Sequence, residues 1–278
     1  MTGMHAGNAL YSGGADPDTI RHIILNMVRT INVKYREKYG NIVFACDSRK
    51  SWRKVIFPHY KAHRKNDRDK LKIDWNTMFE LFDSVKQELR HYTSWPVIEV
   101  EGAEGDDIIA TLVLKYSGQP NLIVSADGDF KQLQAHVKVD QWDPINSRVV
   151  KEDDPANYLW EHIIRGDRGD GVPNILSDDD TFVNPDKRQG KITDKKISYW
   201  KDTDFFEWST SEQRNFARNK RLIDFREVPP KLVEKIEAEY QALVNVDTKH
   251  RVYEYLMDMK LVRLLDSVRD FNNATSSL

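Results

Sequence analysis

Cysteine is almost absent: Cys46 stands alone among 278 residues. No disulfide framework can form within the chain, so a reducing, cytosolic compartment is the default expectation. Long hydrophobic runs are lacking as well; no stretch approaches the roughly 20 apolar residues that span a bilayer. The opening MTGMHAGNAL has neither a basic start nor a long apolar core, which argues against a signal peptide. There is no internal repeat and no long low-complexity tract. Net charge is small too, at −2, although 31% of residues are charged. The two signs are sorted along the chain. Residues 49–72 carry ten Lys or Arg against the two acids Asp67 and Asp69, whereas 101–129 is dominated by Asp and Glu. Adjacent basic and acidic zones suit a polyanion held beside a cation site.

A hydrophobic content of 40% supports a substantial core, and the length suits one large domain or a catalytic domain with a helical appendage. Asp16-Pro17 reads as an N-cap followed by proline at the first helical position. Ile20, Ile23, Ile24, Met27, Val28 and Ile31 then recur at helical spacing up to Gly40. Ile42–Cys46 reads as a buried strand stopping at Asp47. Asp74 is placed to cap a helix carrying Met78, Phe82, Val85 and Leu89. Further strands are expected at Pro96–Val100, Asn121–Val124, Lys138–Trp142 and Arg148–Lys151, with a helix through Ile108–Tyr116 and a short one over Gly128–Gln134. Strands alternating with helices predict an α/β fold with a mostly parallel central sheet flanked by helices. From Pro155 onward the pattern is helical, interrupted by a polar, exposed loop over Asp178–Lys196.

Acids recur where strands end. Asp47 follows IVFAC, Glu104, Asp106 and Asp107 follow PVIEV at a helix start, and Asp127 and Asp129 follow NLIVS. Asp167 and Asp170 form a further pair in the helical part. In open α/β sheets, ligands bind outside the carboxyl ends of strands. Any one such acid could simply cap a helix, but acids at every one of these strand ends point to a shared cleft. Converging carboxylates repel unless cations neutralise them, and a hard oxygen set without a Cys/His cluster favours Mg²⁺ or Mn²⁺ over zinc. Two such ions about 4 Å apart can drive in-line displacement at phosphorus. The run from Ser51 to Lys65 interleaves Trp52 and Tyr60 with cations. That mixture can be a solvated charged helix, or it can neutralise phosphates and stack on unpaired bases. Its place directly after Asp47 favours substrate contact.

The order FACD, SWRK, YKAHRK, EGDD, SADGDF, GDRGD resembles the 5′-nuclease family of flap endonucleases and polymerase 5′-nuclease domains, most nearly the T-even phage RNase H group. RLIDFREVPPKLVEKI at 221–236 resembles that group too, and the likeness covers residues 10 to 265. The resemblance implies a PIN-like nuclease core over 1–153, with a basic helical arch at about 49–73, and a helical DNA-binding subdomain over 154–278. It implies that Asp47, Glu104, Asp106, Asp107 and Asp127 hold a first metal, and that Asp129, Asp167 and Asp170 hold a second. Lys61 and Arg64 match the basic pair that draws the scissile phosphate to the metals. Arg53, Tyr60 and Lys65 match substrate-contacting positions, and 155–177 a helix-turn-helix-like grip on duplex DNA. Two Mg²⁺ or Mn²⁺ ions are the implied cofactors. Branched DNA, RNA–DNA hybrid and duplex DNA are the implied partners. A single-stranded DNA-binding protein is a candidate replication partner, and the setting is the cytoplasm of an infected bacterium. A monomer with no membrane association is expected.

Two features depart from the family pattern. The family follows its GDxxD motif with a glycine-rich turn and a basic residue; here VPNILSDDDTFVNPDKRQGK intervenes, which shifts the duplex grip to Lys187, Arg188 and Lys191. The family also opens with an apolar strand ending in Asp, some fifty residues before the position of Asp47, and nothing in the opening residues replaces it, so the first strand is expected to be missing. That leaves two further readings open beside a cutting nuclease: a non-cutting structure-specific DNA-binding homologue, and a PIN-type ribonuclease.

Overall fold

The computed structural model describes residues 16–64, 75–244 and 251–271. Lys65, the Asp74 cap and the expectation about the opening strand lie outside the described residues. The first described helix, α1 (Pro17–Tyr39), starts as its sequence dictates: the Asp16 carboxylate accepts from the amides of Asp18 and Thr19 at 3.0 Å each. Ile20, Ile24, Leu25 and Val28 bury one face, and Gly40, at φ 81°, ends the helix.

β1 (Phe44–Ala45), α2 (Trp52–Ile56), α3 (Trp75–Tyr92), β2 (Val97–Ile98), α4 (Gly105–Lys115) and β3 (Asn121–Val124) follow. A 3₁₀ segment at Gly128–Ala135, β4 (Val139–Asp143) and β5 (Arg148–Val150) complete this half. β1 pairs parallel with β2, Phe44 opposite Val97. β3 pairs parallel with β4, and β4 antiparallel with β5. The α/β class and the pairing directions match expectation; among the described residues the strands fall in two sheets, of two and three strands. β1 and β2 are also shorter than the apolar runs that contain them. Ladder bonds from Phe44 N to Pro96 O (2.8 Å) and Cys46 N to Ile98 O (2.9 Å) leave Val43 and Ala45 facing the other way. A cavity of about 2260 Å³ runs along that edge, lined on one side by Val43–Cys46 and on the other by Asn121–Ser125, with α1 and α4 beside it.

The second half is helical: α5 (Pro155–Arg165), α6 (Asp194–Asp202), α7 (Thr210–Ile223), α8 (Pro230–Val244), α9 (Val252–Asp258) and a kinked 3₁₀ segment at Val262–Phe271. The expected helix-turn-helix-like element at 155–177 contains only α5, because Gly166 and Pro173 stop it; residues 166–177 wind through turns and the next helix starts at Asp194. This half packs into the first. Val252, Tyr255, Leu256 and Phe271 share a core with Ile20, Leu25 and Met78 from α1 and α3. Leu232 and Ile236 of α8 pack with Ile98 and Ile108 under β2 and α4.

Candidate active site

One wall of the site is built by β1 and the start of α4. Asp47 follows the strand, and its Oδ1 accepts the Gly105 amide at 2.7 Å. A Cβ at position 105 would come within 3.2 Å of Ala45 O and 3.3 Å of Asp47 Oδ1, so glycine lets α4 begin this close to β1. Glu104, the N-cap, is 7% exposed. Its Oε1 accepts from Lys61 Nζ at 2.6 Å. Its Oε2 accepts from Arg53 and Ser51 Oγ at 3.0 Å each and from the Tyr60 hydroxyl at 3.1 Å.

Three residues expected to touch metal or DNA are packed into this wall. Asp107 is fully buried, and both of its oxygens are used: Oδ1 accepts from Arg53 at 2.8 Å, and Oδ2 from Trp52 Nε1 at 3.1 Å and the Glu104 amide at 2.9 Å. It faces Arg53, and both oxygens are engaged within the wall. Arg53, 3% exposed, is locked between Glu104 and Asp107 and donates to Leu222 O at 2.8 Å; no part of it reaches out for DNA. Tyr60, 3% exposed, spends its hydroxyl on Glu104 and on Asp170 Oδ2 at 2.6 Å, so it positions carboxylates instead of stacking on bases.

The opposite wall comes from the ends of β3 and α5. Asp127 accepts the Asp129 amide at 3.1 Å, which folds SADGDF into a turn that presents both carboxyls. Past α5, Gly166 adopts φ 67°, where a Cβ would fall 2.4 Å from Val172 O. Only glycine makes that turn, and it carries Asp167 round the helix end. Asp167 Oδ1 accepts the Asp170 amide at 3.1 Å. Asp170 is taken up by Arg64 at 2.6 Å and Tyr60. Lys61 sits at φ 56°, in the left-handed region, its amide bonded to Asp170 O at 2.7 Å and its Nζ 3.5 Å from Asp170 Oδ2. The two walls thus meet through Lys61 and Tyr60. His162 of α5, which the sequence reading passed over, places Nε2 3.0 Å from Asp129 Oδ1. Its signal was available: it lies five residues before Asp167, on the helix that the Gly166 turn folds back.

Charge within the site is uneven. Burial works against the ionised form of Glu104, but Lys61 and Arg53 outweigh it and hold the carboxyl below its ordinary range. Lys61 is likewise held above its ordinary range, Asp170 and Glu104 outweighing its burial. The other acids have no such help. Burial, then Asp127, pushes Asp106 well up; burial and Asp129 raise Asp127. Burial, with Asp170 and Asp129, pushes Asp167 up to about 6. Among the described residues, Asp47, Asp106, Asp127, Asp129 and Asp167 have no Lys or Arg partner within ion-pair distance. A group of carboxylates with no Lys or Arg beside it, several of them crowded by like charge, fits divalent cations.

The loop cations expected to grip duplex are differently disposed. Lys187 is tied to Asp178 at 2.8 Å and Asp180 at 2.6 Å. Arg188 is exposed and donates to Pro185 O and Lys187 O, and Lys191 is exposed.

Fold and pocket together define a 5′-nuclease. Residues 8–158 match the family model described as 5′-3′ exonuclease, N-terminal resolvase-like domain, and the chain belongs to that family, whose members hydrolyse phosphodiester bonds. It is 30% identical over 265 residues to the Ribonuclease H of Enterobacteria phage T4, covering 91% of this chain and 86% of that one. It is 31% identical over 136 residues to the Flap endonuclease Xni of Shewanella sp. (strain MR-4), covering 45% of this chain and 48% of that protein. The fold is that of the T5 5′-exonuclease solved with bound zinc ions, at a TM-score of 0.56 and 17% identity, over 92% of this chain and 97% of that one.

Proposed function

We propose that this chain is a divalent-cation-dependent 5′-nuclease that cuts phosphodiester bonds in branched or RNA-primed DNA, removing primers during phage replication in the infected host. What supports this reading is a group of acids from four chain segments with no Lys or Arg partner among the described residues, close enough for Asp127 to act on Asp106 and Asp129 on Asp167, with Lys61 and Arg64 beside them. Asp47, Asp106 and Asp127 would hold one cation and Asp129 and Asp167 a second, Mg²⁺ or Mn²⁺, with Glu104 and Asp170 reached from behind by Arg53, Tyr60 and Arg64. Bound cations would supply an activated water and charge for the leaving oxygen. The chain's own contribution is orientation. Lys61 and Arg64, now satisfied by Glu104, Asp170 and Gly169 O, are the cations an incoming phosphate would meet, and each can exchange a carboxylate for a phosphate oxygen without leaving the pocket. T4 Ribonuclease H, alike along most of both chains, supports an RNA-primed substrate; a T5 flap endonuclease solved with DNA and metal ions supports a branched one. A single-stranded DNA-binding protein is the proposed replication partner, and the chain is proposed to act as a monomer.

The test uses the full chain with a 5′-labelled flap and an RNA-primed duplex, with Mg²⁺, with Mn²⁺ and with chelator. Short 5′ products that require the cation and vanish in Asp127→Asn, with DNA affinity kept within a few fold, are the expected result. DNA binding without cation-dependent cleavage would establish the non-cutting homologue instead.

A further inference from the structure

An imidazole enters the acidic pocket from α5. His162 Nε2 is buried and lies 3.0 Å from Asp129 Oδ1, and among the described residues it completes no hydrogen bond of regular geometry. One donor atom each from Asp129, His162 and Asp167 falls within 4.8 Å of the other two. The ring is braced: Tyr158, one turn earlier on α5, stacks on it with centroids 5.7 Å apart and planes at 22°. Asp167 is braced too, by the Gly166 turn, and its neighbour Asp170 is already committed to Arg64 and Tyr60.

A buried nitrogen beside a carboxylate oxygen, without a regular hydrogen bond between them, makes a good pair of ligands. Two donors each about 2.1 Å from one ion stand about 3 Å apart when they occupy adjacent coordination positions, and His162 and Asp129 already have that spacing. We propose that Asp129, His162 and Asp167 form a mixed nitrogen–oxygen cation site that prefers a divalent transition metal to Mg²⁺. Mg²⁺ selects oxygen ligands and retains its waters, whereas imidazole adds affinity for Mn²⁺, Co²⁺ and Zn²⁺. The pocket is then asymmetric. Its half nearest β1 offers only oxygens, and its half nearest α5 offers one nitrogen among them. This inference rests on reading the pocket as a cation site and adds to it which ion one half selects and through which atom.

The test is pulsed electron paramagnetic resonance of Mn²⁺ bound to the full chain, with Mg²⁺ competition measured alongside. The wild type should show ¹⁴N modulation from a directly bound imidazole. His162→Gln should lose that modulation, and its preference for Mn²⁺ over Mg²⁺ should fall roughly tenfold, the order by which disturbing a metal site's ligand shell weakens it. Bound Mn²⁺ without ¹⁴N modulation in the wild type overturns the mixed site while leaving the nuclease reading intact. Failure of the wild type to bind Mn²⁺ any better than Asp129→Asn overturns both.

Discussion

Replacing Arg53 by methionine should unfold this protein far more readily than it should weaken its hold on DNA. The side chain is 3% exposed and spans three partners: Glu104 Oε2 at 3.0 Å, Asp107 Oδ1 at 2.8 Å and Leu222 O at 2.8 Å. Methionine fills most of the volume and removes the charge. Asp107, with no exposed surface, then has no cation beside it. Breaking a buried pair from one side costs about 3–5 kcal/mol, because the stranded charge remains desolvated. For a chain of this size each kcal/mol moves the midpoint by about 2–4 °C, so the expected loss is on the order of 10 °C. Urea unfolding followed by tryptophan fluorescence reports it directly, since Trp52 packs 4.6 Å from the Arg53 guanidinium. The deficit should shrink as pH falls, because the stranded Asp107, already raised by burial, can take a proton instead. In Arg53→Met/Asp107→Asn, the loss should be smaller than the sum of the single losses, as for partners in one network. A loss under about 1 kcal/mol in Arg53→Met, or strict additivity in the double variant, would refute the reasoning. The salt dependence of DNA binding should not change, since Arg53 offers nothing to a phosphate.

Three further outcomes are expected. Lys61→Ala and Arg64→Ala should each lower the single-turnover rate by a few kcal/mol of transition-state stabilisation while leaving Mn²⁺ affinity within a few fold; unchanged rates would make these residues surface decoration. Without cations, thermal stability should fall as pH rises from about 4 to about 6, because Asp106, Asp127 and Asp167 have raised folded values and lose their contribution as pH climbs through them, near 6 for Asp167. His162, also raised, acts in the same direction, and Asp167→Asn should flatten the slope. Asp107→Asn should lower the melting temperature without changing cation affinity, whereas Asp106→Asn should do the reverse; isothermal titration beside calorimetry separates the two.

Where the sequence was legible, a local rule decided the outcome. Asp16-Pro17 caps α1 because the Asx side chain and proline satisfy the same helix end, whatever packs around it. β3 begins and ends where NLIV does, between a turn and an acidic loop. Asp106 and Asp127, which follow two different strands, come close enough for one to act on the other. Illegible features depend on which way a side chain turns after packing. Asp106 and Asp107 are adjacent, yet one step along a helix is about 100° of rotation, so one meets Asp127 and the other meets Arg53. Arg53 and Tyr60 sit in a run so rich in charge that nothing in composition marks them as buried; Leu222, Asp170 and Glu104, distant in sequence, decide that. His162 was legible only as a position, five residues before Asp167 on the helix that the Gly166 turn folds back; that it meets Asp129 depends on packing. The division of the sheet was likewise hidden, since apolar runs announce strands and not which strands pair.

The division of the sheet has a consequence for how the molecule breathes. Asp47, Glu104 and Asp106 belong to the half built on β1 and β2, and Asp127 and Asp129 to the half built on β3, β4 and β5. Among the described residues no ladder joins the halves; α4 packing against Ile123 and the Lys61 and Tyr60 contacts join them. Each half is then expected to open as a cooperative unit with its own free energy. Amide exchange in Asn121–Val124 and Val139–Asp143 should therefore be uncoupled from exchange around Phe44 and Val97 when the pocket is empty. An ion shared between the walls would act as a rivet, and the two sets of amides should slow together once it binds.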